Sequence, residues 1–101
     1  MKIDPIKVHS LVGCWLQICG ESDADKGASI MLEFRNDGEL IYSIEQKDRV
    51  QVINLTFYVQ GNEIVTEQKS APKKHRTTFS FQEDGLLLMN SGNDRYLYRR
   101  V

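Results

Sequence analysis

The chain of 101 residues has room for one domain, residues 1–101, and for one modest core burying about 65% of its unfolded surface. A net charge of −1 gives no overall attraction to nucleic acid or an anionic membrane, and no apolar run nears the ~20 residues of a membrane-spanning helix. One Trp, four Tyr and four Phe, with many β-branched residues, supply enough apolar surface to exclude a disordered chain.

Asp4, Lys7 and His9 interrupt the opening segment, which therefore does not read as a secretory signal, and the expected location is cytoplasmic. Asp4 is a candidate N-cap and Pro5 suits the first helical position, so a short helical turn is predicted over 5–11. Gly13 ends it. From there the pattern is one of short strands separated by turn residues.

The first predicted strand covers 13–19, Gly-Cys-Trp-Leu-Gln-Ile-Cys, and an acidic loop follows from Gly20 to Gly27. Over 28–35 the residues Ile30, Leu32 and Phe34 share one face. Asn36-Asp37-Gly38-Glu39 is a strong hairpin signal. The strand 40–46 puts Leu40, Tyr42 and Ile44 together, and 50–60 does the same for Ile53, Leu55, Phe57 and Val59. After Gln60-Gly61-Asn62 comes a strand at 63–69. Ser70 to His75 reads as a basic loop broken by Pro72. The strand 76–82 aligns Phe79 with Phe81, 86–89 is a solid apolar run, and 95–100 aligns Tyr96 with Tyr98.

About eight short strands with tight connections pair antiparallel, because a parallel crossover needs a dozen residues or more. The simplest arrangement is an all-β, up-and-down antiparallel sheet that closes into a small barrel and so removes its edges. Cys14 and Cys19, five apart in one strand, are expected on opposite faces and unbridged.

Gly13-Cys14-Trp15, after a short helical turn, resembles the Gly-x-Trp motif that opens lipocalin-like (calycin-type) barrels. Phe34-Arg35-Asn36-Asp37-Gly38, Val59-Gln60-Gly61-Asn62-Glu63-Ile64 and the terminal Tyr96-Leu97-Tyr98-Arg99-Arg100-Val101 resemble later segments of bacterial lipocalin-like domains. The resemblance implies that an arginine late in the last strand packs across the tryptophan. Arg100 over Trp15, next to Gly13, is the expected closure of the barrel, with Arg99 as the alternative. The chain is much shorter than secreted lipocalins.

Alternation sends Phe34, Phe57, Phe79 and Phe81 inward together with Tyr42, Tyr96 and Tyr98. These rings either fill the interior or line a pocket for a small apolar ligand, since an eight-stranded barrel is wide enough for either. Buried tyrosine hydroxyls need partners, and a few polar groups in an apolar cavity are typical of ligand sites. The expected function is a non-catalytic binding module. The alternative is an interaction module with a filled core, binding a partner or a second copy through outward Val52, Tyr58, Val65, Leu87 and Met89.

Other chemistries fit less well. Asp23-Ala24-Asp25-Lys26-Gly27 lacks the later ligands of a calcium loop, with Phe34 where the glutamate belongs. Cys14, Cys19, His9 and His75 have no zinc-ligand spacing. No nucleophile sits in a recognisable triad and no cofactor motif is present, so neither an enzyme nor a cofactor is expected. Lys69, Lys73, Lys74, His75 and Arg76 form a basic run, but the acidic balance and the inward tyrosines argue against a nucleic-acid surface.

Overall fold

The computed structural model describes residues 9–19, 29–68 and 70–101. Residues 9–11 are helical, and the rest of the turn predicted over 5–11 lies outside the described residues, as do the acidic loop and Lys69. Eight strands follow: β1 (Gly13–Cys19), β2 (Ser29–Phe34), β3 (Glu39–Gln46), β4 (Arg49–Gln60), β5 (Glu63–Gln68), β6 (Ala71–Phe81), β7 (Leu87–Ser91) and β8 (Asp94–Arg100). Each pairs antiparallel with the next, and β1 pairs with β8 through Trp15↔Arg100 and Gln17↔Tyr98. The sheet is a closed up-and-down barrel. No helix among the described residues is long and apolar enough to cross a membrane.

Turn chemistry sets the register. Between β2 and β3 the Gly38 N–H donates to the Arg35 carbonyl at 3.2 Å and the Arg35 N–H to the Glu39 carbonyl at 2.8 Å. Gly38 alone in this turn has a positive φ, 89°, so the connection is a three-residue loop with a left-handed glycine and not a two-residue Asp-Gly turn. It places Phe34 opposite Leu40, which puts Ile30, Leu32 and Phe34 on the same face as Tyr42 and Ile44.

Trp15, Phe34 and Leu11 are buried at the end where β1 starts and β8 finishes. Phe34 meets Phe57 edge to face with centroids 5.0 Å apart, an offset that suits the ring quadrupoles. Leu11, Trp15, Val59, Ile64 and Leu87 are fully buried beside them. The turns after β3, β5 and β7 gather at the opposite, open end.

Several expectations need correction. The stretch 70–75 is not a loop, because β6 begins at Ala71. From Ala71 to Thr78 β6 pairs with β5, while its pairing with β7 begins only at Thr78. Pro72 is tolerated where one side of the strand carries no ladder bonds among the described residues. Leu87 and Met89 point inward, not outward, since they pair with Tyr98 and Tyr96. A run of four apolar residues has no alternation from which to choose a face. Val65 does lie on the outer face, opposite Tyr58 and Arg76, yet it is buried. The register between β1 and β8 is irregular between Gln17 and Cys19, and the expected placing of the Cys19 side chain lies outside what the structure describes.

Candidate functional site

At the closed end, the Trp15 indole N–H donates to the Leu11 carbonyl at 2.9 Å, which ties the helical turn to the barrel floor. Arg100 lies over the indole, its Cζ 4.3 Å from the ring centroid. Its guanidinium donates to the carbonyls of Val12 at 2.8 Å and Ser10 at 2.5 Å. Gly13 makes this approach possible: its φ is +130°, and a Cβ there would stand 2.7 Å from Arg100 Nη1. Gly13, Trp15 and Arg100 thus meet at one point. The cluster is structural, since its donors are occupied by backbone carbonyls.

The open half holds a cavity of about 240 Å³. Tyr42, Tyr96 and Tyr98 line it, with hydroxyls from Thr66, Thr77 and Ser91. Leu32, Leu40, Leu55 and Met89 supply the apolar wall. Burial pushes the Tyr98 phenol well above its ordinary pKa, and the neighbouring phenols of Tyr42 and Tyr96 push the same way. The Tyr98 hydroxyl therefore presents a dipole, not a charge, to the cavity at physiological pH.

Toward solvent the cavity continues into an outer chamber of about 360 Å³ that shares Tyr42, Leu55 and Thr66. Ile53, Gln68, Lys73 and His75 complete it. The last two owe their position to β6 being a strand. Thr66 pairs with His75 and Glu67 with Lys74, so His75 shares the inward face of Thr66 while Lys74 and Arg76 lie outside; Lys73, beside the irregularity where Gln68 pairs with Ala71, lines the same chamber as His75. The basic run is thereby divided between two faces and does not form one basic patch.

Of the seven rings expected around a ligand, the structure gathers only the three tyrosines. Phe34, Phe57 and Phe79 are buried in the core cluster and do not line this cavity. Phe81, at the far end of β6, packs on Trp15 with centroids 6.2 Å apart and on Phe79 at 5.8 Å, and remains 41% exposed. Alternation specifies a side chain's face but not its depth along the barrel, so it does not separate the phenylalanines from the tyrosines. Thr66, Thr77 and Ser91 were legible as inward positions once the strands were aligned. Met89, Lys73 and His75 carry no such signal, because neither a run of four apolar residues nor a basic stretch with Pro72 marks where β7 and β6 begin.

Compared with known proteins, the chain matches no protein-family model, no curated protein and no solved structure. Its function is therefore read from the barrel and its cavity.

Proposed function

We propose that this protein is a non-catalytic, lipocalin-like binding module that holds one small apolar or aromatic molecule in the open half of its barrel. The cavity of about 240 Å³ carries this reading, because it combines an apolar wall with three tyrosine hydroxyls. An engineered apolar cavity of about 150 Å³ already accepts benzene, so the volume suits a body of one or two rings. The walls remove apolar surface from water and the hydroxyls orient what is bound. A reducing, cytoplasmic setting belongs to the same proposal and agrees with the free thiol of Cys14.

The test is titration with N-phenyl-1-naphthylamine, an uncharged dye that brightens in apolar surroundings. Saturable one-to-one binding is expected, with Thr66→Phe and Thr77→Phe each weakening it at least tenfold by filling the cavity. Phe81→Ala leaves it unchanged. Equal binding by the wild type and both filled variants rejects the cavity as the site.

A second reading rests on one arm of the sheet. From Arg49 to Asn54, β4 pairs with β3 on one side, and among the described residues no strand pairs with it on the other. Val50 and Val52 stand on this arm 62% and 53% exposed. A second copy can add antiparallel along such an edge about a twofold axis. Light scattering checks this: a dimer that Val52→Lys converts to a monomer supports it, and a wild-type monomer at every concentration removes it.

A further inference from the structure

The basic residues of β6 differ sharply in what they touch. On the outside, Arg76 Nη1 lies 3.6 Å from Glu63 Oε1 and 3.5 Å from Gln60 Oε1. Lys74 Nζ sits 6.0 Å above the centre of the Tyr58 ring. On the inside, neither Lys73 nor His75 has an ion-pair or hydrogen-bond partner among the described residues. No described Asp or Glu lines either chamber. The cavity is therefore polarised. Its inner part is apolar with tyrosine, threonine and serine hydroxyls, and its outer part presents one lysine and one imidazole with no carboxylate among the described lining residues.

We infer that the ligand is a small aromatic monocarboxylate, bound with its ring in the inner chamber and its carboxylate between Lys73 and His75. This deepens the cavity reading and rests on it. The ring exchanges water for Leu32, Leu40, Leu55 and Met89. Lys73 supplies the charge, and an imidazole N–H of His75 supplies a second donor for the other carboxylate oxygen. A single lysine balances a monoanion and leaves a phosphate dianion half neutralised. Tyr42, Leu55 and Thr66 belong to both chambers, so a molecule long enough to reach from one to the other meets continuous walls.

Isothermal titration calorimetry with 2-naphthoate and its uncharged near-isostere 2-naphthamide tests this at neutral pH and low salt. The naphthoate is expected to bind at least tenfold more tightly. Lys73→Met keeps the aliphatic stem and is expected to remove that preference by weakening the naphthoate alone, and His75→Gln to reduce it about threefold. Both residues are exposed, so thermal melting of each variant is expected to match the wild type. Equal affinity for the two probes, or a preference that survives in the Lys73→Met, His75→Gln double variant, overturns the carboxylate inference and leaves the cavity reading intact. Failure of both probes to bind overturns the two together.

Discussion

At the closed end of the barrel the indole N–H and the guanidinium are tied to the carbonyls of Leu11, Val12 and Ser10, and Phe34, Phe57 and Phe79 occupy the space beneath. At the open end three phenols, three aliphatic hydroxyls, a lysine and a histidine surround a cavity. The same inward-outward alternation builds both halves. They differ in what stands at the inward positions: the indole and phenylalanine rings in one, phenols, smaller hydroxyls, a lysine and an imidazole in the other. Close-packed rings stabilise, whereas polar groups held apart around a cavity cost stability and leave room for a ligand. Stability is thus concentrated at one end of the strands, and the proposed binding site lies at the other.

Substitutions at the two ends sharpen this contrast. The largest expected effect is Trp15→Ala, which empties the floor of the barrel and detaches the helical turn; a loss of about 4 kcal/mol is expected in urea unfolding, enough to abolish the fold if the barrel is marginal. Gly13→Ala comes next. It forces a Cβ into the left-handed region and pushes the guanidinium from its two carbonyls, for a loss of about 2 kcal/mol. Arg100→Lys keeps the charge but not the planar fork, and a loss of about 1 kcal/mol is expected because this side chain is partly in water. A smaller loss for Trp15→Ala than for Tyr98→Ala would reverse the assignment of the stable end.

The open end makes its own predictions. Tyr98 ionises in the folded protein above the value of about 10 that applies to the unfolded chain. Below pH 10 both states hold the phenol proton and stability does not depend on it. Above pH 10 the unfolded state loses the proton first, so stability falls as pH rises. Denaturant unfolding between pH 9 and pH 11 is expected to show this fall, reduced in Tyr98→Phe. The smallest effect belongs to Lys73→Met, which is expected to change stability by no more than about 0.5 kcal/mol while altering the selectivity of binding.

Much of the architecture was legible because local rules agreed with one another. Gly13 before Trp15 marked the first strand, Asn36-Asp37-Gly38 marked a hairpin, and odd-even spacing put Tyr42, Tyr96 and Tyr98 inside. The errors arose where those rules fell silent. Leu86-Leu87-Leu88-Met89 offers no alternation, and Pro72 among basic residues looks like a loop until the sheet shows a strand with one side unpaired. Phe81 was assigned correctly by parity, yet its height on the barrel carried it onto Trp15 at the far end from the cavity.

The sequence by itself determined the strand count, the antiparallel order, the closing of the sheet and the inward face of most strands. These follow from period-two alternation and tight turns, which act over a few residues. Only the tertiary structure decided which inward residues share a level around the barrel. That depends on the stagger between eight strands, and a shift at one bulge or strand start moves every level above it. The cavity, and the meeting of Lys73 and His75 with the tyrosine end, came from that stagger.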